Sequence, residues 1–568
     1  MLGKRSMYTH TPRLSLYFHT LRHLQVRQIV TRLLYLLLRP YPSLAPAPLK
    51  RSISGKWVLP ARRERNLLSP WNIRLLNDVR IIESPEIWNH SSLPKLWLYN
   101  LHYFDDLVAR EHESRTPWHA ELIRRWINEN PPGNGVGWEA YPISRRLVNW
   151  IKWDLETGEL TDAARESIAV QVRYLCKRIE KHHLDNHLIA NAKALVFAGL
   201  YFEGPEADRW LSKGLGILRR ELPKQILPDG GHFELSPMYH CLVLEDLLDL
   251  LNVAKAYRQS MIGPYEAPVR EWEAAAAQMR KWLIGICHPD GEIALFNDAA
   301  FGMAPRPDEL EEYANRLGVT KPAISRDKVV HFPESGYIRI QWGNAVLLLD
   351  VARVGPDENP GHGHADTLTF ELSLHAQRLI VDTGVSRYES GPVRSYERGT
   401  RAHNTVVVDG ADSSEVWDSF RVARRARPFG LKIERKETEV TVECSHDGYR
   451  RLPGCVIHHR RWTLHSGGIK IEDEIEGHFK YAQTSFLLHP LVARRSKEGI
   501  GCNSEMRAGE WLLDRGEVVH WRITEGTGKY EYTSYHPEFG TSHNTVRLVL
   551  EPNGSRMALE ISWKGEQL

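Results

Sequence analysis

Cysteine is scarce in this sequence, and its six copies follow no pattern. They are scattered through 568 residues without a C-x-x-C pair. This excludes the disulfide framework of a small secreted domain and the paired thiolates of a zinc ribbon. We expect the cysteines to be buried free thiols, with Cys444 and Cys455 as the two that paired strands would bring close together.

A long apolar run is missing as well. The strongest candidate, residues 29–38, has ten residues and contains Arg32, whereas a membrane span needs about twenty. No small-residue cleavage site follows closely, as a signal peptide requires. We predict a packed amphipathic helix here, with a signal anchor as the alternative. The expected location is cytoplasmic, with the periplasm or secretion as alternatives, and no membrane partner is expected.

The sequence also lacks an excess of charge of either sign. Its 74 Lys and Arg nearly balance 71 Asp and Glu, so the composition gives no reason to expect nucleic acid as a partner. Aromatic and imidazole side chains are abundant instead, with 18 Trp, 21 Tyr and 27 His. Flat rings with a polar edge suit sugar rings as well as hydrophobic cores.

The hydrophobic period changes once along the chain. Apolar residues recur every three or four positions over residues 98–317, which predicts helices joined by short turns that close as an α/α toroid. After residue 329 the period is two, which predicts antiparallel strands packed as a β-sandwich. The fold class is therefore α+β and multidomain. The predicted domains are residues 1–325, with an N-terminal extension over 1–95, and residues 326–568, the boundary falling near 321–332.

Two predicted helix starts carry polar side chains that suit catalysis. Asn186 and His187 stand at the head of one helix, where Asn or Asp is also an ordinary N-cap. Tyr239 follows Ser236 and Pro237, which suit the first turn of another helix. A tyrosine in this place either lines a cleft or is buried with a satisfied hydroxyl, and the sequence leaves both interpretations open.

Two histidines separated by one glycine, His362 and His364, give the sharpest signal. Burying both imidazoles in a core would require elaborate hydrogen bonding. The following strands bring Asp382 and His403 to neighbouring ends of the predicted sheet. Because two imidazoles and one carboxylate are a common ligand set for Zn²⁺ and similar ions, we predict a metal site at His364, Asp382 and His403.

Six motifs, in this order and spacing, resemble the heparinase II/III family of polysaccharide lyases. The resemblance spans residues 17–405 and continues more loosely through the later strands. It implies a helical toroid, a β-sandwich region and an active cleft between them, in agreement with the change of period. The motifs are Tyr99-Asn-Leu-His-Tyr-Phe104, Gly137-Trp-Glu-Ala-Tyr-Pro142 with Arg145-Arg146, Asn186-His187-Leu188, Gly363-His-Ala-Asp366, Asp382-Thr-Gly384 and Arg401-Ala-His-Asn404.

The resemblance also implies roles for individual residues. Asn186 matches the residue that hydrogen-bonds a uronate carboxylate, and His187 lies beside it in the cleft. Tyr239 matches the catalytic tyrosine and His362 the catalytic histidine. The metal, zinc with manganese or calcium as alternatives, would hold the loop that presents His362 rather than activate water.

Five further side chains are candidates for substrate binding. Guanidinium groups suit the carboxylate and sulfate groups of an acidic polysaccharide or oligosaccharide, which is the expected partner. The sequence does not say how the glutamate of the second motif affects substrate choice. The candidates are Glu139, Tyr141, Arg145, His240 and Arg398.

The predicted activity is β-elimination in a uronic-acid-containing glycan, such as heparan sulfate, chondroitin sulfate, hyaluronan or alginate. If the C5 proton and the O4 leaving oxygen lie on one face of the sugar, Tyr239 serves as both base and acid. If they lie on opposite faces, His362 or His187 is the base and Tyr239 the acid. Both stereochemical courses stay open at this point.

Two other functions fit parts of the sequence. A glycoside hydrolase acting on an acidic exopolysaccharide would need two facing carboxylates, for which Glu139, Glu234 and Asp298 are available. A non-catalytic carbohydrate-binding or polysaccharide-assembly protein would keep the fold without needing Tyr239 and His362 together. Fold resemblance alone does not separate these possibilities.

Overall fold

The computed structural model describes residues 13–38, 40–321, 323, 327–495 and 505–563. Helices dominate the first part of these ranges. The α-helices are α1 Arg13–Leu21, α2 Val26–Leu37, α3 Lys95–Tyr103, α4 Thr116–Glu129, α5 Ala140–Thr157, α6 Asp162–Lys177, α7 Asn186–Tyr201, α8 Pro205–Gln225, α9 Pro237–Ala256, α10 Glu266–Ile286, α11 Pro307–Arg316 and α12 Pro392–Arg398.

The helices from α3 to α11 form the predicted helical half. Helix α7 packs against α5, α8 and α9, and every residue from Leu188 to Tyr201 is buried in it. An apolar stripe that recurs every 3.6 residues must be covered by neighbours on that side, and α7 is covered on all sides. The toroid of helical hairpins predicted from the period is confirmed.

Strands dominate the second part. They are β1 Leu67–Ser69, β2 Asn72–Leu75, β3 Asp78–Ile81, β4 Val329–Phe332, β5 Tyr337–Trp342, β6 Ala345–Asp350, β7 Phe370–Leu374, β8 Gln377–Ile380, β9 Val406–Val408, β10 Val416–Trp417, β11 Arg421–Val422, β12 Pro428–Arg435, β13 Glu439–His446, β14 Ile457–His465, β15 Gly468–Glu476, β16 Ala482–Leu487, β17 Ala493–Arg495, β18 Ala508–Leu512, β19 Val518–Glu525, β20 Thr527–Tyr535, β21 His543–Glu551 and β22 Arg556–Ser562.

Three antiparallel sheets build the predicted sandwich region, which is confirmed. One sheet has the order β4-β5-β6-β7-β8, a second β20-β21-β16-β9, and the third β12-β13-β14-β15-β22-β19-β18-β17. One helix, α12, lies between β8 and β9. That helix carries a residue of the site described below.

Strand β6 joins the two halves, and its first five residues, 345–349, are all apolar. Leu347 and Leu349 belong to the core between the sheets, whereas Val346 and Leu348 pack into the core of the helical half. Successive side chains of a strand point to opposite faces. Because both faces of β6 are covered, apolar residues occupy both sets of positions.

The predicted helix near the N-terminus exists as α2, but its packing is the reverse of the expectation. Gln28 is its buried residue, while Leu33, Leu36 and Leu37 are more than half exposed. None of the helices in the described part of the chain has the length and apolar character that a membrane span requires.

Two other predictions concern the cysteines and the domain boundary. Cys444 is buried and free as expected, whereas Cys455 is free but exposed, and Cys502 lies outside the described residues. The predicted domain boundary falls at residues 324–326, which also lie outside them. Helix α11 ends at Arg316 and β4 begins at Val329, and the domain limits stay a prediction.

Candidate active site

Three loops meet between the helical half and the sheets, and each contains a residue in the left-handed backbone region. These residues are Leu184 (φ 56°), Leu235 (φ 60°) and Asn297 (φ 57°). For a residue other than glycine this conformation costs roughly 1–3 kcal/mol, and such residues cluster at functional sites. Each one stands directly beside polar side chains that converge on a single place.

The first loop presents Asn186 at the start of α7. Asp185, not Asn186, is the N-cap, because its side chain accepts a hydrogen bond from the His187 amide. The Asn186 side chain is therefore free for another role, and its amide Nδ2 donates to Glu234 Oε1 at 3.1 Å. Glu234 also accepts the Asn186 main-chain N–H at 3.0 Å. This carboxylate fixes which end of the Asn186 amide faces the cleft.

The second loop presents Tyr239 in the first turn of α9. Ser236 caps this helix by accepting from the Tyr239 amide, as the Ser-Pro pair predicted. The Tyr239 hydroxyl lies 3.3 Å from the hydroxyl of Tyr388, and its ring lies 3.9 Å from that of His362 between centroids. Burial and the neighbouring Tyr388 raise the pKa of Tyr239 well above its ordinary value, so the hydroxyl keeps its proton at neutral pH.

The third loop holds His362 in place through Asp298. His362 Nδ1 lies 2.8 Å from Asp298 Oδ2, and its other nitrogen, Nε2, lies 3.5 Å from Glu234 Oε2. Arg394 of α12 binds both oxygens of Asp298 at 2.5 and 2.7 Å. Burial opposes the charge on Asp298, but Arg394 and the histidines outweigh it and hold its pKa well below the usual range. We call Tyr239, His362, Asn186 and Glu234 the cleft group.

A second set, the buried group, consists of His364, Asp366 and His403. Their ligand atoms all lie within 4.8 Å of one another, and all three side chains are buried. Asp382 contacts this group from outside, because its Oδ2 lies 2.8 Å from His403 Nδ1. The structure thus differs from the predicted ligand set in one member. Asp366 stands with the two histidines, Asp382 orients His403, and a direct role of Asp382 as ligand stays a prediction.

The buried group has unpaired nitrogen atoms and a carboxylate that a metal ion would bind. His364 Nδ1 and His403 Nε2 are buried without a hydrogen-bond partner, although buried polar atoms are nearly always paired. Burial and the charge of Asp382 raise the pKa of Asp366 to about 6 against the attraction of His403. A divalent cation would occupy both nitrogens and balance the carboxylate charge, so these residues fit a metal.

Gly363, between the two histidines, is required by space. A Cβ at this position would lie 2.6 Å from Val354 Cγ1, closer than side-chain carbons approach each other. The chain can therefore place His362 toward the cleft and His364 toward the buried group only with glycine between them.

His187 lies at the side of the cleft in a cluster of its own. Its ring stacks on Tyr141 at 4.1 Å and on His183 at 5.0 Å, and its Nδ1 lies 3.2 Å from Glu180 Oε2. Burial lowers its pKa, but the carboxylates of Glu180 and Asp185 outweigh burial and raise the pKa to about 9. His187 is therefore an imidazolium at neutral pH, which suits an anionic ligand better than a general base.

The five predicted substrate-binding side chains separate into two sets. Tyr141 reaches the cleft through its stacking on His187. Glu139 is part-exposed and accepts from the Tyr99 hydroxyl at 2.5 Å and from Lys95 at 2.9 Å, so it lies at the surface beside Tyr99. These two stay candidates for substrate binding.

The structure places the other three side chains in contacts within the protein, and their role in substrate binding stays a prediction. Arg145 pairs with Asp105 at 3.2 Å beneath the cleft floor. His240 Nε2 lies 3.0 Å from the Met279 carbonyl oxygen, and its ring packs on Trp282. Arg398 is buried and donates to main-chain carbonyls, including that of Gly363 at 2.9 Å. These hydrogen bonds of Arg398 hold the main chain of the His-Gly-His turn.

Sequence reasoning missed three residues that build the site. Asp298 was considered only as a glycosidase carboxylate, Tyr388 was not considered, and Asp366 was quoted in a motif without a role. Asp298 ends the Phe296-Asn297-Asp298 stretch in the connection between α10 and α11. The polar pair that follows the apolar residues there is the signal that could have pointed to a cleft residue.

Comparisons with known proteins agree with this architecture. Residues 108–315 match the family model described as heparinase II/III N-terminus, and residues 325–564 match the model described as heparinase II/III-like, C-terminal. A heparin-sulfate lyase of Bacteroides stercoris is 29% identical over 245 residues, covering 39% of this chain and 35% of that protein. One of Bacteroides thetaiotaomicron is 24% identical over 374 residues, covering 58% and 52%.

The chain thus spans about half, or less, of the length of these relatives. Among solved structures, a heparinase III superposes with a TM-score of 0.64 at 17% identity, covering 84% of this chain and 79% of that one. The heparan sulfate lyase HepC of Pedobacter heparinus gives 0.54 at 17% identity, covering 86% and 80%. At these identities the superpositions show the fold.

Proposed function

Because this chain belongs to the heparinase II/III family, we propose that it is a polysaccharide lyase that cleaves uronic-acid-containing glycans by β-elimination. One observation carries the proposal, namely that the hydroxyl of Tyr239, the imidazole of His362 and the amide of Asn186 converge in the cleft around Glu234. A proton donor, a proton acceptor and a neutral hydrogen-bond donor are the groups that elimination next to a carboxylate requires.

The structure favours one division of the acid and base roles. Burial and Tyr388 raise the pKa of the Tyr239 hydroxyl, so Tyr239 carries its proton in the resting enzyme and is available to donate it to O4. Asp298 accepts the Nδ1–H of His362, which leaves the lone pair on Nε2, the nitrogen 3.5 Å from Glu234 Oε2. His362 Nε2 would remove the C5 proton, and the Tyr239 hydroxyl would protonate the leaving oxygen.

Asn186 would stabilise the charge that develops on the uronate carboxylate. As C5 loses its proton, this carboxylate takes on enolate character, and a fixed donor gains strength at that moment. Glu234 binds one N–H of the Asn186 amide and leaves the other for the substrate. His187, charged at neutral pH, would bind a second anionic group of the same glycan.

The buried group would hold a divalent metal, for which zinc is the first choice because imidazoles and a carboxylate surround it. When bound, this ion supplies a structural cross-link, since His364, Asp366 and His403 come from the turn and from separate strand ends. The cross-link would fix the turn that presents His362. No proton transfer is assigned to it.

The alternative of a glycoside hydrolase has little support in the geometry. Asp298 is fully engaged by Arg394 and by the two histidines of the turn. Glu234 is engaged by Asn186, and Glu139 by Lys95 and Tyr99. A glycosidase needs two carboxyl groups that face the scissile bond from opposite sides, and these three are not arranged in that way.

The test is to incubate the purified protein with a panel of uronate polymers and to follow ultraviolet absorbance. β-Elimination creates a C4–C5 double bond conjugated with the carboxylate, whereas hydrolysis creates none. The panel contains heparan sulfate, chondroitin sulfate, hyaluronan and alginate, with a neutral glucan as control. New reducing ends without new absorbance would contradict the proposal and indicate a hydrolase.

A further inference from the structure

The two N-terminal helices lie on the protein with their polar side inward. In α2, Gln28 donates to the Glu358 carbonyl at 3.2 Å and the His182 carbonyl at 3.5 Å. Tyr35 packs on the ring of His182 at 4.7 Å, and Thr20 of α1 accepts from Trp417 Nε1 at 3.1 Å. With 3.6 residues per turn, Gln28, Thr31 and Tyr35 share one face of α2.

The opposite face of the same helices is apolar and points to solvent. In α2, Val26 is 75% exposed, Leu33 54% and Leu37 78%. In α1, Leu14, Phe18 and Leu21 are also more than half exposed. A surface helix normally buries its apolar stripe against the core, so this arrangement is inverted. An apolar face of this kind marks a contact surface.

Basic residues flank this apolar face, and acidic residues are absent from the whole segment. The first Asp or Glu of the chain is Glu64, while residues 1–63 contain twelve Lys and Arg. The near balance of charge over the full chain therefore hides a strongly basic beginning and a net acidic remainder. Arg27 and Arg32 lie on either side of the apolar face of α2, and neither forms an ion pair within the described ranges.

We propose that α1 and α2 form a docking surface for an anionic phospholipid bilayer, on which they lie without crossing it. Apolar side chains would enter the acyl boundary, and the flanking guanidinium groups would bind lipid phosphates. This replaces the sequence-based expectation of no membrane partner. It does not depend on the lyase proposal, because no residue of the cleft group takes part.

Two other occupants explain only half of the observations. A second copy of the chain would cover the leucines, but a twofold contact would bring Arg27 and Arg32 of both copies together without a counter-charge. A soluble acidic polysaccharide would satisfy the arginines and leave the apolar face in water. A bilayer with anionic headgroups satisfies both sets of side chains.

The experiment is flotation of the full-length chain with phosphatidylcholine vesicles, with and without phosphatidylglycerol. We expect binding to the mixed vesicles that weakens with added salt, because the headgroup attraction is screened. The pair Leu33→Gln and Leu37→Gln is expected to weaken vesicle binding about tenfold or more. The pair Arg27→Gln and Arg32→Gln is expected to do the same, at about tenfold for two lost charges near the surface.

Matched controls separate this surface from general stickiness. Phe429→Gln with Tyr532→Gln removes two exposed rings elsewhere, and Arg270→Gln with Arg522→Gln removes the same charge elsewhere. Both control pairs are expected to bind vesicles as the wild type does, and all four pairs to keep its melting temperature. If the wild type does not float with the mixed vesicles, the proposal is overturned. It is also overturned if the wild type is a dimer that the pair Leu33→Gln and Leu37→Gln dissociates. A third contrary result is binding of a soluble acidic glycan that depends on the arginines and occurs without vesicle binding.

Discussion

His362 and His364 are separated by one glycine and bind the same carboxylate, yet they lie in different surroundings. His362 uses Nδ1 toward Asp298 Oδ2 and is 14% exposed, whereas His364 uses Nε2 toward Asp298 Oδ1 and is fully buried. The free nitrogen of His362 lies toward the cleft group. The free nitrogen of His364 lies in the buried group.

The difference lies in which ring nitrogen Asp298 engages and in how exposed the ring is, because the residue type and the partner are the same. Asp298 would fix the tautomer of both rings, and water access would then separate the proposed proton carrier from the proposed metal ligand. The two sites are therefore coupled through one carboxylate. Substitutions in the cleft group that add no charge should change activity without changing stability, and substitutions in the buried group should change both.

Tyr239→Phe should give the largest effect, and only on activity. The variant loses the hydroxyl that would protonate the leaving oxygen, and positioned acid–base groups contribute roughly 10²–10⁴-fold. We expect kcat to fall by that factor while the melting temperature stays within a few degrees. Tyr388→Phe, which removes the neighbouring hydroxyl, is the matched control and should have a smaller effect. A near-normal rate for Tyr239→Phe would remove this residue from catalysis.

Asn186→Asp should lower kcat/KM by about 10²-fold, the scale of losing one fixed donor to a developing oxyanion. Asp and Asn cap helices about equally well, but the contact of Asn186 with Glu234 is expected to make this variant less stable. Two buried carboxylates would face each other, and their mutual repulsion would raise their pKa values above those of the unfolded chain. The stability deficit should be absent in acid and grow as pH rises through the folded-state pKa.

The measurements are progress curves on the substrate found in the panel and thermal melts from acidic to neutral pH. Asn186→Ala serves as control, since it removes the donor without adding a charge. A variant with Asp at 186 that cleaves at close to the wild-type rate would show that the amide does not contact the substrate.

His403→Ala should lower stability and activity together, because it removes a ligand from the buried group. Metal binding adds about 3 kcal/mol to the folded state when the free metal is near a hundredfold above its Kd. Elemental analysis and thermal melts of the wild type, with and without a chelator, measure this contribution. If the wild type holds no stoichiometric metal, the buried group is a hydrogen-bonded cluster. The proposed role of His364 as a metal ligand, and with it the comparison between His362 and His364, then fails.

His187→Gln should give the smallest effect, and the size of its effect on stability depends on pH. The pKa of His187 is raised to about 9 in the folded chain, so its ion pair with Glu180 stabilises the fold fully below about pH 6.5. This contribution is lost as pH rises through 9. Because a quarter of the side chain is exposed, we expect at most about 2 kcal/mol. Equal stability differences at pH 6 and pH 9.5 would contradict the charged state.

The sequence was sufficient for the fold because periodicity reports directly which side of each element is covered. It predicted α7, α9 and the strands of the sandwich. It was not sufficient to predict which side of α2 faces the protein. The hydrogen-bond partners of Gln28 belong to residues 182 and 358, which are brought together only by the tertiary fold. Apolar content predicted the helix, and tertiary contact decided its orientation.

The site was predicted in the same uneven way. The helix starts predicted from the sequence are present and bring Asn186 and Tyr239 near His362 through Glu234 and ring contact, while the catalytic roles of these residues stay predictions. Residue type could not show that Arg398 donates to main-chain carbonyls or that His240 Nε2 contacts one. Nor could it distinguish Asp366, which stands with both histidines, from Asp382, which contacts His403.

The bonds of Gln28 also limit how the two halves of the molecule can move. Its amide contacts the His182 carbonyl of the helical half and the Glu358 carbonyl of the loop that leads to His362. Any hinge rotation that widens the cleft at this end must first break one of these bonds. Entry and exit of the proposed glycan substrate would therefore be easier from the far end, and removing the Gln28 amide would make the hinge more mobile on the slow timescale of domain motion.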